Sequence, residues 1–326
     1  MKTSGSNTKF NETYINEAID GFLFHCQFEK NLNLKTTHAY EIDLQQFNSY
    51  IENAVEQKTI NSITKDVLKS YLQKISHFKP KTIKRKIASL KAMLNFIEYE
   101  NDRYINPFRK LKVKFKEPYI LPFVMTLGEV KKILHIMYQE LFNNKNKERY
   151  TYKAQIRNIA IVEILFSTGL RVSEICNLSY SDINLKNGVI KVLGKGNKER
   201  IIQICQEEVL SIIKTYYQLH KDLINKKGAF FINRIGQPLS TQSVRLMIKS
   251  YVKKAGLSKQ ITPHTFRHTF ATLLLEEDVD IKYIQNMLGH SSISTTQIYT
   301  HVSMSKQKKI LKTKHPRRKL QLTKNE

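Results

Sequence analysis

Tyr299 lies near the end of the chain, in the run Ser294-Thr295-Thr296-Gln297-Ile298-Tyr299-Thr300-His301, nine residues after the histidine of Leu288-Gly289-His290. A phenol has a pKa near 10 and is mostly protonated at neutral pH. It becomes a nucleophile only where a base and an electrostatic trap surround it. Upstream stands Thr262-Pro263-His264-Thr265-Phe266-Arg267-His268. Pro263 suits a first helical turn, and His264, Arg267 and His268 then fall at i, i+3 and i+4 on one face. A helix N-terminus favours anions, so two imidazoles and a guanidinium there form a site for a phosphate or a developing oxyanion. A metal site is the rival. It is disfavoured because Arg267 repels a cation and no nearby carboxylate completes a ligand set.

Two further cations stand at turns. Arg171, in Gly169-Leu170-Arg171, falls where an apolar helix gives way to the next, which starts near Ser173 with Glu174. Lys195 sits between Gly194 and Gly196 at the tip of an expected hairpin. Alone, Arg171 reads as a surface arginine at a helix end and Lys195 as a turn lysine. Gly-Lys-Gly is not a P-loop, because no G-x-x-x-x-G-K-[ST] precedes a helix. Tyr299, one of 16 tyrosines, has an ordinary half-buried role as its plain reading. Their company decides otherwise: arginines, a lysine, histidines and a tyrosine all fall on successive element ends of one region.

The elements that must hold these residues are mostly helices. Helical periodicity begins at Thr13 with Ile15, Ile19, Phe22 and Leu23. Thr36 or Thr37 is the expected N-cap of a second helix carrying Ala39, Tyr40, Leu44, Phe47 and Ile51, and Ser62 or Thr64 starts a third. A fourth follows Pro80, with Ile83, Ile87, Leu90, Leu94 and Ile97 on one face and Lys81, Lys84, Arg85 and Lys91 on the other. A helical domain over residues 13–105 results. Asn106-Pro107 breaks the pattern, and residues 106–125, rich in lysine and proline, read as an extended basic linker.

A second domain, residues 126–305, opens on a Thr126/Glu129 capping box. Its first helix gives way to a polar, basic insertion over residues 143–152, and the next stops at Gly169. Asn187-Gly188 is a turn dipeptide, and Val189 to Leu193 with Arg200 to Ile204 forms the hairpin. Helices follow over 207–220, 241–255, 265–276 and 281–288, with a short one after Ser294; residues 230–232 suggest a small strand. Residues 306–326 form a basic tail. The fold class is therefore mainly α: a helical N-terminal domain, then a mixed α/β domain, mostly helical with a small antiparallel sheet.

Charge narrows the function. Against 54 Lys+Arg stand 28 Asp+Glu, a net charge of +26, and such a field attracts polyanions. The cations are spread along the chain rather than gathered on one amphipathic helix, which disfavours a membrane surface. No run approaches a membrane span, and the polar N-terminus has no apolar signal core. Three scattered cysteines fit neither a disulfide framework nor a zinc site, and a reducing cytosol is the default. Nucleic acid is the expected partner. The cationic face of the fourth helix is then better read as tracking DNA phosphates than as plain solvated surface.

In combination, these segments resemble the tyrosine recombinase (phage integrase) family, especially its Xer-type members. The resemblance spans about residues 13–310. It rests on residues 168–174 (Thr-Gly-Leu-Arg-Val-Ser-Glu), 194–200 (Gly-Lys-Gly-Asn-Lys-Glu-Arg), 264–268 and 288–301, in the family's order. Residues 34–44 also look like the family's core-binding domain.

The resemblance implies that Arg171 and Arg267 clamp the scissile phosphate and that Lys195 protonates the departing 5′-oxygen. It implies that His264 accepts the phenol proton and His290 hydrogen-bonds the phosphate. Tyr299 would attack in line, leaving a 3′-phosphotyrosyl link and a free 5′-hydroxyl. Glu174 would be a supporting, orienting residue and His268 structural. No metal, ATP or other cofactor is then required, because fixed cations supply the charge stabilisation. The expected partner is double-stranded DNA, held by a homo-tetramer on two sites or a hetero-tetramer with a related recombinase, in the cytoplasm. The biological setting stays open between chromosome-dimer resolution and mobile-element integration or excision. A type IB topoisomerase-like relaxing enzyme and a catalytically silent DNA-binding protein are the alternatives. The tail carries eight basic residues between Lys306 and Lys319 and no acid there; packing on a neighbouring protomer and contact with DNA suit it equally.

Overall fold

The computed structural model describes residues 13–113, 123–194 and 199–289. The chain divides into two compact units, Met1–Tyr119 and Ile120–Glu326. The described residues are mostly helical, with one small antiparallel sheet.

In the first unit, α1 (Ile15–Phe24) continues into a turn of π-helix (His25–Glu29). Helix α2 (Leu34–Ala54) starts earlier than expected. Its N-cap is Asn33, whose side-chain oxygen accepts from the Lys35 amide at 2.9 Å, so Thr36 and Thr37 lie inside the first turn. Thr64 caps α3 (Lys65–Lys74) by accepting from the Val67 amide. Helix α4 (Pro80–Glu100) begins on its proline and buries Ile83, Ile87, Leu90, Leu94 and Ile97 against Phe22, Leu44, Phe47 and Ile51.

The unexpected part of this core is ionic. Asp43, on α2, is buried with a side chain 1% exposed. It accepts from Arg85 at 2.6 Å, from Lys86 at 3.2 Å and from Ser89 at 2.9 Å. Lys86 is itself buried and also bonds Gln46. Isolated, either charge would be costly in the core; together they are paired and hydrogen-bonded, and they fix α4 on α2. The expected linker is not extended at its start. Asn106 caps a 3-10 turn (Pro107–Lys110) and bonds Asn95, and Phe108 enters the first core.

The second unit opens with buried Met125, whose amide donates to Thr269 Oγ1 at 3.0 Å. Helix α5 (Leu127–Asn143) carries the Thr126/Glu129 capping box. The insertion is shorter than read, because α6 (Tyr150–Thr168) begins inside it. Helix α6 is buried on almost every side and runs through the middle of the second core. Next come α7 (Val172–Cys176), β1 (Ile183–Asn184), β2 (Val189–Leu193) and β3 (Glu199–Gln203). The sheet order is β1-β2-β3, all antiparallel, with Ile190 opposite Ile183 and Ile202, and Leu193 opposite Glu199. Ile190, Val192 and Ile202 face the core.

Four helices complete the described unit: α8 (Glu207–Lys227), α9 (Thr241–Lys254), α10 (Pro263–Glu276) and α11 (Ile281–Leu288). Helix α8 outruns its expected end at 220, since Ile224 is still buried and the chain turns only at Gly228. Residues 230–232 are not a strand: isolated bridges at Ala229 and Ile232 flank a bend at Phe230 and Phe231. Phe230 and Phe231 are fully buried against Tyr216, whose hydroxyl donates to the Phe230 carbonyl and accepts from the Ile232 amide. Among the described residues no helix is long and apolar enough to cross a membrane.

Candidate active site

Helix α6 ends where the backbone of Gly169 turns left-handed at φ 63°. A Cβ there would lie 2.5 Å from the Phe270 ring of α10, so the turn and the close packing both require glycine. The turn delivers Arg171 to the N-cap of α7. The Glu174 carboxylate accepts from the Arg171 backbone amide and from Arg171 Nη1, each at 2.8 Å. Glu174 is buried, which pushes its carboxyl up; hydrogen bonds from Arg200 and from the Arg171 amide outweigh that, so its pKa lies below the ordinary 4.5.

Arg200 had no place among the sequence-derived candidates. It stands on β3 and grips the same carboxylate with both terminal nitrogens, at 3.0 and 2.8 Å. The sequence signal was available, since Arg200 ends the Gly-Lys-Gly-Asn-Lys-Glu-Arg segment, but its partners lie 26 and 87 residues away.

Helix α10 presents His264, Arg267 and His268 from its first turns. Arg267 is buried, 3% exposed. Its Nη1 donates to the Gly169 carbonyl at 2.8 Å and its Nη2 to the Leu288 carbonyl at 2.6 Å. One guanidinium thereby ties the end of α6 to the end of α11. His264 is held below the ordinary imidazole value of 6.5 by burial of its ring and by the charges of Arg267, Arg245 and Arg171. His268 is pushed down to about 4, again by burial first, then by His264 and Arg267. Arg245, on α9, was likewise missed; its guanidinium bonds Thr241 Oγ1 at 3.2 Å. Burial and three arginine charges thus all favour the neutral form of this imidazole.

This gives the sign of a pH effect. A lowered pKa keeps His264 neutral, and able to accept a proton, below the pH where an ordinary imidazole charges. DNA cleavage should stay level as pH falls through 6.5 and drop only below it. A single-turnover pH profile that breaks at or above the ordinary value would contradict a His264 base.

Lys195, His290 and Tyr299 lie outside the described residues, as do the short helix after Ser294 and the basic tail. Their described neighbours are Gly194 at the end of β2 and Gly289, which ends α11 with φ 63°. On α4, Lys81, Lys84 and Lys91 are exposed. Arg85 is a partial correction to that cationic face: its side chain is 48% exposed, but its guanidinium is committed to Asp43. Among the described residues no group of three or more His, Cys, Asp or Glu could hold a metal ion.

Comparison with known proteins identifies the family. Residues 124–306 match the phage integrase family, and residues 19–101 match its N-terminal SAM-like domain. A tyrosine recombinase of Agathobacter rectalis is 48% identical over 92% of this chain and 96% of its own length. The tyrosine recombinase XerD of Listeria innocua is 32% identical over 93% of this chain and all of its own. In fold, the XerH site-specific recombinase, solved with its palindromic difH substrate in a post-cleavage complex, superposes with a TM-score of 0.72. It does so at 24% identity, over 90% of this chain and 84% of its own. With both of its units matched and its relatives aligned along nine-tenths of its length, the chain belongs to the phage integrase family and is a tyrosine recombinase.

Proposed function

We propose that the protein exchanges strands between two duplex DNA sites by attack of Tyr299 on a scissile phosphodiester. Arg171 and Arg267 neutralise the non-bridging oxygens, a task suited to guanidinium. His264, kept neutral, takes the phenol proton. The phosphorus–5′-oxygen bond breaks as the phosphorus–tyrosyl oxygen bond forms, and Lys195 supplies the proton that the departing 5′-oxygen needs. His290 hydrogen-bonds the phosphate. Glu174 orients Arg171, and His268, uncharged over the working range, is structural. The bond energy stays in the 3′-phosphotyrosine until a 5′-hydroxyl of the second duplex attacks, so neither ATP nor a metal ion is required.

The observation that carries this reading is the Arg267 guanidinium bonded to the Gly169 and Leu288 carbonyls, which joins the turn before Arg171 to the α11 end that leads into His290 and Tyr299, with His264 on the same helix as Arg267. Four protomers hold two duplexes, as identical copies or with a related recombinase, in the cytoplasm. Lys81, Lys84 and Lys91 contact the phosphate backbone through the first unit, and Arg85 does so with its Asp43-anchored side chain.

The test uses two duplexes carrying a binding site selected from random sequence, in EDTA and without nucleotide. Recombinant strands are expected. Exchange that appears only when magnesium returns would overturn the metal-free mechanism. Relaxation of a one-site plasmid with no product from two sites would overturn recombination in favour of a relaxing enzyme.

A further inference from the structure

The Arg200 side chain is 11% exposed and spends three nitrogens on two distant partners. Nη1 and Nη2 take the two oxygens of Glu174, at 3.0 and 2.8 Å, in a bidentate fork. Nε donates to the Met287 carbonyl in the last turn of α11, at 2.9 Å. That carbonyl is one of the helix-end acceptors left without an intrahelical donor. The next one, of Leu288, is taken by Arg267 at 2.6 Å. Two guanidiniums, from β3 and from α10, therefore hold the end of α11.

The same side chain lies close to Gly289. A Cβ on that residue would meet Arg200 Nη1 at 2.9 Å and its Cδ and Cζ at 3.1 Å, so the glycine is needed as much for the arginine as for its left-handed turn. Arg200 thus stands where three segments meet: β3, five residues after Lys195; α7, whose Glu174 also holds Arg171; and α11, which ends two residues before His290.

We propose that Arg200 is a positioning residue for strand cleavage, which sets the Lys195 hairpin against Arg171 and against the His290 end of α11. The proposal rests on the role given above to Lys195 as the proton donor. Arginine suits the task because its planar fork can fill both carboxylate oxygens and still direct Nε elsewhere. A lysine carries the same charge on a single nitrogen, so it cannot reproduce the two-nitrogen fork on Glu174 while a third nitrogen holds Met287. Loss of the joint leaves the charge count almost unchanged and lets the hairpin drift. Displacement of a catalytic group by about 1 Å costs about a hundredfold in rate.

The test is single-turnover cleavage of a nicked duplex carrying the selected site, with saturating protein. The scissile phosphate carries either its normal 5′-oxygen or a 5′-bridging sulfur. When Tyr299 attacks the sulfur substrate, the phosphorus–sulfur bond breaks and a thiolate departs. A thiol has a pKa near 8.5, so it leaves without a proton donor. Arg200→Lys is expected to cleave the oxygen substrate about ten- to a hundredfold more slowly than the unmodified protein, and the sulfur substrate at close to its rate. Arg200→Gln is expected to behave alike, with site binding and cooperative melting retained. Lys195→Ala is the benchmark and should show the same rescue by sulfur.

Arg200→Lys as fast as the parent on oxygen would overturn the proposal. So would equal slowing on both substrates where Lys195→Ala is rescued, since that is a general structural defect. Failure of both Arg200 variants to melt cooperatively would make Arg200 a folding residue and overturn it too. If Lys195→Ala is not rescued by sulfur, the proton-donor role of Lys195 falls, and the proposal falls with it.

Discussion

Arg267→Ala should lose strand cleavage by roughly a hundred- to a thousandfold and unfold at lower denaturant than the parent. Two effects add. Arg267 would neutralise the phosphate as it becomes pentacoordinate, and donors preorganised in a dry site stabilise such charge without reorganising. Arg267 is also the buried strap between the Gly169 and Leu288 carbonyls. Its loss strands two buried acceptors, worth about 2–5 kcal/mol together. Arg267→Lys separates the two effects: it keeps the charge, reaches at most one carbonyl, and should recover part of the stability but little of the rate. Urea melts and single-turnover cleavage check both. Parent-like cleavage by a folded Arg267→Ala would remove Arg267 from the clamp.

Tyr299→Phe should bind its site as the parent does and form no covalent complex, with cleavage lower by at least roughly 10⁴-fold. The substitution deletes one oxygen and leaves the arginine cluster untouched, so affinity, which depends on phosphate contacts, has no reason to change. Gel shift and denaturing electrophoresis of the same samples give both readings. A covalent complex that persists in Tyr299→Phe would move the nucleophile to another residue.

Much of this architecture is legible without coordinates, and the exceptions share one cause. Helix α4 follows from Pro80 and apolar positions stepping by three and four, and α11 from a short amphipathic run closed by Gly289; both are local signals. The Asp43–Lys86 pair is not local. Nothing near Lys86 says that its ammonium turns inward to α2, and the helix face drawn from spacing alone put its neighbour Arg85 wholly on the outward face read as tracking DNA phosphates. Arg200 escaped for the same reason, since Glu174 and Met287 reach it through the fold. Strand β1 is two residues long, too short for any period. Phe230-Phe231-Ile232 looks like a strand because a short apolar run fits a buried strand or a buried loop equally; Tyr216, fourteen residues from Phe230, decides for the loop.

In the site, the arginine–histidine face of α10 is readable from an i, i+3, i+4 spacing. The charge state of that face is not. His264 is held below the ordinary imidazole value first by burial of its ring and then by Arg267, Arg245 and Arg171; Arg245 and Arg171 arrive from α9 and from the start of α7, and no spacing within residues 262–268 reports them. The Gly169 turn is half legible: a glycine closing an apolar helix is a familiar stop, but its carbonyl serving as an acceptor for Arg267 is visible only in the fold.

The central claim is that Tyr299 joins the 3′-phosphate of a broken strand with no metal present. The most direct measurement incubates the unmodified protein with a nicked, labelled duplex carrying its selected site in EDTA, digests the product with protease, and reads the nucleotide-bearing peptide by mass spectrometry. The account predicts one modified peptide, containing Tyr299 linked to a 3′-phosphate, and a free 5′-hydroxyl on the released strand. A 5′-phosphate linkage, a different modified residue, or a complex that forms only when magnesium is restored would contradict it.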